Sequence, residues 1–244
     1  MEFNFLLVLV ILILSLIQSL FGIGVLAIGT PTLLLLGLSF FETLSIILPC
    51  SICISICQIY DSKIIYFNFM SKFILYCLPF MIISLLFLIN LNEQINLKIL
   101  IASMLFCSGI LRLGIGNYQP INNFLIRYSF LTQALIGIIH GFTNMGGAIL
   151  ALFSSSVFKR EKDGTRFGIA FGYAIMGIVQ YIMILYIAPD LFKYEMFLYI
   201  IISLLSYIFF GRVIFRLIES NIYDKYLTYI ILSYSIIILV GEFF

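Results

Sequence analysis

Apolar residues run along this chain in long blocks, parted by short polar or glycine-bearing stretches. The blocks fall near residues 5–21, 24–39, 43–60, 71–90 and 97–113, and the pattern restarts near 123–140, 143–158, 166–188, 195–211 and 226–242. Most reach the ~17–25 residues that a helix needs to cross a bilayer. The second block of each set is shorter, which predicts a partial or re-entrant helix. The polar stretch Gly114 to Asn123, with Gly116-Asn117 and Pro120, reads as a linker. The expectation is one all-α domain over 1–244, with a first unit at about 5–113, a linker at 114–122 and a second unit at about 123–242.

Composition narrows the class. The chain is 63% hydrophobic and 10% charged, with a mean hydropathy of +1.20, whereas a soluble domain carries roughly 25% charged residues. This predicts a polytopic membrane protein whose first partner is the lipid bilayer. A net charge of +2 argues against a nucleic-acid partner, and no Walker-type phosphate loop points to a self-powered ATPase. The start Met1-Glu2-Phe3-Asn4 lacks the basic region and small-residue cleavage site of a signal peptide, so the first helix is expected to be retained. Cys50, Cys53, Cys57, Cys77 and Cys107 all fall in apolar blocks and suggest no disulfide framework.

Charge placement tests the number of crossings. Let every block reverse the side of the chain, with hairpins at the two glycine-bearing interruptions described below. One face then holds eleven cations: Lys63, Lys72, Arg112, Arg127, Lys159, Arg160, Lys162, Arg166, Arg212, Arg216 and Lys225. The other holds two, Lys98 and Lys193. Joining each broken pair into one crossing gives five against eight. Cytoplasmic loops carry the excess of Lys and Arg, so the hairpin reading is preferred and both termini are expected outside. Each unit then reverses sidedness an odd number of times, which makes the two units inverted repeats.

The interruptions carry the candidate chemistry. The first is Gly22-Ile23-Gly24, followed by Gly29 and Pro31; the second is Gly141-Phe-Thr143-Asn144-Met-Gly146-Gly147, with Gly22 and Gly141 119 residues apart. Broken hydrophobic segments at corresponding places in two repeats point to a transporter's binding site. Free N–H groups at a helix start, with the positive end of its dipole, can replace the hydration shell of a small anion. Glycine lets the backbone turn and approach a ligand. Thr143 and Asn144 add side-chain hydrogen bonds, and Pro31, lacking an N–H, frees a carbonyl one turn earlier. The bland alternative is that these glycines only allow close helix crossing.

Gln58 and Gln180 follow Gly22 and Gly141 by 36 and 39 residues, and the longer charged loop Lys159–Arg166 accounts for the difference. A glutamine inside an apolar helix faces protein or a cavity, as substrate contact or as glue between helices. His140, the one histidine, can carry a proton or contact an anion, or simply pack. No Asp or Glu lies mid-block, so a carboxylate proton relay has no carrier. Cys50, Cys53 and Cys57 share a helical stripe that suits packing better than a soft-metal path. No metal site, cofactor or catalytic residue is expected. Arg166, in the basic loop, is the one member to test for anion guidance.

With both interruptions in view, the chain resembles the sulfite exporter TauE/SafE family of membrane transporters. Gly22-Ile-Gly-Val-Leu-Ala-Ile-Gly-Thr-Pro31 and Gly141-Phe-Thr-Asn-Met-Gly-Gly-Ala148 are similar to its two glycine-rich stretches. Val25 and Leu26 stand where the family often has further glycines, and the second stretch lacks the usual later proline. The resemblance implies a multi-pass protein of a bacterial inner membrane that moves a small anion, such as sulfite or a sulfonate, by alternating access. A drug/metabolite-type carrier also resembles a five-plus-five inverted repeat, but the glycine breaks of this chain, placed early in each half, argue for the first family. An intramembrane enzyme would need a serine–histidine pair or clustered metal ligands. A structural subunit would use the glycines for packing alone.

Overall fold

A computed structural model describes residues 5–62, 65–90 and 119–219, together with residues 222, 223, 225, 226, 229, 230, 233 and 236. The block expected at 97–113, most of the linker 114–122 and much of the block at 226–242 lie outside the described residues. Among those described the chain is helical and has no strand. The helices are α1 (Phe5–Phe21), α2 (Gly29–Leu35), α3 (Phe40–Tyr60), α4 (Phe67–Asn90), α5 (Gln119–Arg127), α6 (Ser129–Thr143), α7 (Gly147–Val157), α8 (Lys162–Ile187) and α9 (Glu195–Leu217).

Four of these, α3, α4, α8 and α9, are long and apolar enough to cross a membrane. The most apolar stretch is 61% buried in both α3 and α8, against 33% in α4 and 28% in α9. The first pair therefore forms the centre, and the second presents side chains such as Leu75, Ile83, Ile201 and Phe209 outward. Apolar side chains exposed in this number suit lipid. Ends are set locally. Ser39 and Glu42 form a capping box at the start of α3, the Glu161 carboxylate accepts from the Gly164 N–H at the start of α8, and Gly37, at φ +92°, ends the turn after α2. The four cysteines among the described residues, Cys50, Cys53, Cys57 and Cys77, are free thiols.

The central helices α3 and α8 pack on each other and run antiparallel. Asp61, just past the end of α3, borders a cavity with Lys162 and Arg166 at the start of α8. Glu42, at the start of α3, feels the charge of Lys193 just past the end of α8. Each half also lends its fourth helix to the other: α4 packs on α6, and α9 packs on α1.

The short helices settle what the interruptions do. The seven residues of α2 and eleven of α7 extend about 10 and 16 Å, against a hydrocarbon core of ~30 Å. Neither can cross. Instead each folds back along the helix before it. Val10, Ile13 and Ile17 of α1 share an apolar groove with Thr32 and Leu35 of α2, while Ser129 and Gln133 of α6 share a cavity with Phe153 and Val157 of α7. After its hairpin, α2 leads directly into the start of α3, and α7 into the start of α8.

Candidate functional site

In the first half, the chain leaves α1 at Gly22, whose φ of +77° favours glycine. The Gly22 N–H donates to the Gln18 carbonyl at 2.8 Å. A Cβ on Gly24 would sit 2.8 Å from the Leu14 carbonyl oxygen and 2.9 Å from the Gln18 Cα, so only glycine permits the following turn to lie this close to α1. The buried Gln18 side chain then closes the break. Its Oε1 accepts from the Val25 N–H at 3.1 Å, and its Nε2 donates to the Ser51 Oγ at 2.8 Å and the Ser55 Oγ at 3.1 Å on α3. Gln58 Nε2 donates to the Gln18 carbonyl at 2.8 Å.

The second half repeats the geometry with other side chains. Asn144 ends α6 in the left-handed region, at φ +60°, which Asn tolerates better than other non-glycine residues. Its N–H donates to the His140 carbonyl at 2.8 Å. A Cβ on Gly146 would lie 2.6 Å from the Ile136 carbonyl oxygen and 2.7 Å from the His140 Cβ. Gln180 Nε2 donates to the His140 carbonyl at 3.3 Å. Thr143 Oγ1 donates to the Ile139 carbonyl and accepts from the Met145 N–H.

These parallels fix the register between the halves. Leu14 and Ile136, Gln18 and His140, Gly22 and Asn144, Gly24 and Gly146, and Gln58 and Gln180 are each 122 residues apart. The spacing persists into the fourth helices, where the Ser84 and Ser206 hydroxyls donate to the Phe80 and Ile202 carbonyls at 2.8 Å. The pairing of Gly22 with Gly141 at 119 is therefore three residues out of register. The longer loop Lys159–Arg166 is not its cause, since the same offset holds before and after that loop. Gly141 lies inside α6 facing α4, where a Cβ would meet the Ser84 hydroxyl and lie 2.5 Å from the Met81 carbonyl oxygen. The second break begins at Asn144.

The two breaks touch. Asn144 Nδ2 donates to Thr30 Oγ1 at 2.8 Å, and Thr30 in turn donates to the Leu26 carbonyl at 2.7 Å. Around this contact the second half is incompletely bonded. His140, Asn144, Tyr173 and Gln180 are all 0% exposed. Yet both His140 ring nitrogens, Asn144 Oδ1, Tyr173 Oη and Gln180 Oε1 have no hydrogen-bond partner among the described residues. The His140 and Tyr173 rings lie 6.1 Å apart. Tyr173 aims its hydroxyl at the start of α7, where a Cβ on Gly147 would collide with it, and no side chain caps that helix. A buried polar group left unsatisfied costs about 1–3 kcal/mol, so five such atoms in one place call for a role.

The remaining expected residues take plain positions. Pro31 occupies the first turn of α2, where a missing N–H costs nothing. Gln58 and Gln180 hold the ends of α1 and α6 through their carbonyls, so each acts as helix-to-helix glue through its amide nitrogen. Sequence reasoning passed over Gln18, Thr30 and Tyr173. Gln18 could have been found by the rule applied to Gln58, a lone amide in an apolar helix. Tyr173 is one of fifteen tyrosines, and nothing in its neighbourhood along the chain sets it apart.

The arrangement offers a small ligand N–H groups at an uncapped helix start, a phenol hydroxyl and an imidazole, all shielded from solvent. No carboxylate lines this cluster among the described residues, which leaves it free of negative charge. Comparison with family models, with curated proteins and with solved structures finds no match to this chain.

Proposed function

We propose that this chain is a membrane transporter that moves small anions, of the sulfite, sulfonate or related organic class, by alternating access around its two helix breaks. The observation that carries the proposal is the Asn144–Thr30 hydrogen bond. It joins the α1–α2 and α6–α7 hairpins, which open toward opposite ends because α3 and α8 are antiparallel, beside five buried polar atoms that have no partner among the described residues. In this reading the halves are inverted repeats, and the breaks are the discontinuous helices that meet near the midplane in such carriers. The N–H groups of α7 and the Tyr173 hydroxyl would take the place of water around the anion. His140 would donate from whichever ring nitrogen carries hydrogen.

Charge supports the orientation. Lys162, Arg166, Arg212 and Arg216 gather at the end where α8 begins, whereas Lys193 lies near Glu42 at the other. The basic end faces the cytoplasm, which sets the α6–α7 hairpin open to the cytoplasm and the α1–α2 hairpin open to the outside of a cell membrane. The resemblance to the TauE/SafE family supplies the sulfur-anion class.

The test is anion flux in proteoliposomes holding the purified chain, comparing sulfite, sulfate, taurine and a small organosulfonate. Selective flux that Asn144→Ala abolishes is the expected result. No flux of any of the four, from folded and inserted protein, would overturn the substrate class.

A further inference from the structure

A separate cavity lies at the basic end of the bundle, where the end of α3, the start of α8 and the last turns of α9 converge. Its volume is about 460 Å³, and four cations and two carboxylates line it: Lys162, Arg166, Arg212 and Arg216 against Asp61 and Asp163. Three of these six are committed to structure. Arg212 pairs with Asp61 at 2.9 Å, and Asp61 also accepts from the Tyr207 hydroxyl at 2.7 Å. Tyr207 opens a π-helical turn, Tyr207–Gly211, an irregularity frequent at functional sites. Lys162 Nζ donates to the Phe215 and Ile218 carbonyls and so caps the end of α9.

Arg166 differs from the rest. It is 6% exposed, its guanidinium carbon sits 3.3 Å over the Phe215 ring centroid, and its Nη1 is buried with no partner among the described residues. Stacking holds the guanidinium plane in place at the wall of a cavity of net positive charge, and Nη1 is a donor that no described residue occupies. A guanidinium edge matches two oxygens of one anion, which a point charge does not. The Arg166 stem also runs beneath the first break, its Cγ 3.7 Å from where a Gly22 Cβ would be.

We propose that this cavity is an oxyanion-binding site, with Arg166 as the donor that selects the ligand. The ligand is a compact group with at least two charged or partly charged oxygens, such as a sulfate-like anion or the phosphate of an anionic lipid. The site rests on Arg166 and the cavity, not on transport, and its test reads binding alone.

Purified full chain in phosphatidylcholine nanodiscs would be titrated with inorganic sulfate by calorimetry, and a second set would contain phosphatidylglycerol. Sulfate is expected to bind one site, with affinity reduced about tenfold or more in Arg166→Lys, where the planar fork is lost but the charge kept. Phosphatidylglycerol that competes with sulfate in the native chain identifies the headgroup as a ligand, and sulfate binding unchanged by it identifies the free anion. Asp163→Asn leaves Arg166 in place and adds one net positive charge, so it should tighten sulfate binding about threefold at low salt. Folded native chain that binds no sulfate, or Arg166→Lys and Asp163→Asn with unaltered affinity, would overturn the proposal.

Discussion

The two helix breaks share a backbone and differ in what fills them. In the first, Gln18 reaches across to the Val25 N–H and to Ser51 and Ser55 and closes the break with hydrogen bonds, although Gln58 Oε1, like Gln180 Oε1 in the second, has no partner among the described residues. In the second, His140, Gly147 and Tyr173 stand 122 residues on from Gln18, Val25 and Ser51, and the side-chain polar atoms of His140 and Tyr173 have no partners among the described residues. The same geometry is thus a hydrogen-bonded joint on one side and, on the other, a set of donors and acceptors that the described residues leave unpaired. Glycine at the break makes the hairpin possible, and the residue four positions before the left-handed turn decides whether the joint is self-satisfied.

The largest effect should come from removing the plug. Gln18→Leu leaves the Val25 N–H and two serine hydroxyls without their partner, a loss of about 3 kcal/mol. His140→Leu, at the equivalent place, removes two nitrogens that have no hydrogen-bond partner among the described residues and should change stability by less than about 1 kcal/mol. Unfolding of both variants in one detergent would measure the pair, and equal losses would break the comparison. Next come the close approaches. Gly24→Ala and Gly146→Ala each force a Cβ against the preceding helix and should cost about 1–3 kcal/mol, by similar amounts in the two halves. A large cost at one and none at the other would mean that the shared register does not extend to the turn itself.

Asn144 separates conformation from contact. Asn144→Gly keeps the left-handed turn and loses the Thr30 bond, for about 1 kcal/mol, whereas Asn144→Ala adds about 1 kcal/mol for a Cβ at positive φ. Pairing Asn144→Gly with Thr30→Val in a double-mutant cycle isolates the bond between the breaks. A coupling near zero would show that the breaks touch without holding each other.

The apolar blocks were legible because burial in lipid or among helices demands runs of that length, and α1, α3, α4, α8 and α9 fall within a few residues of them. The two breaks were legible from their glycines. Register was not, because Gly141 sits one turn before the true break and matches Gly22 in type alone. A left-handed turn accepts either Gly or Asn, so Gly22 and Asn144 are equivalent in backbone and unlike as letters. Tyr173 was hidden for another reason. Its role depends on a hydroxyl that meets α7 from another helix, and the segment Ala170–Ala174 reads as ordinary core.

The smallest effect on stability should accompany the largest separation of stability from function. Tyr173→Phe deletes one hydroxyl that bonds nothing among the described residues and keeps the ring beside His140. If that oxygen were structural, its loss would weaken the fold. As an orphan in a dry setting it carries a desolvation penalty, so its removal should leave stability unchanged or raise it by up to about 1 kcal/mol. In the proposed carrier the same hydroxyl replaces water around the anion at the start of α7. Losing one such donor without altering packing should lower flux about tenfold. The converse change in the first half, Ser51→Ala, removes an acceptor for Gln18 and should lower stability by about 1 kcal/mol while leaving the second break's donors in place. Melting and flux for the two variants give four numbers. A Tyr173→Phe protein that melts earlier and transports normally would show both breaks to be joints, and the site would have to be sought elsewhere.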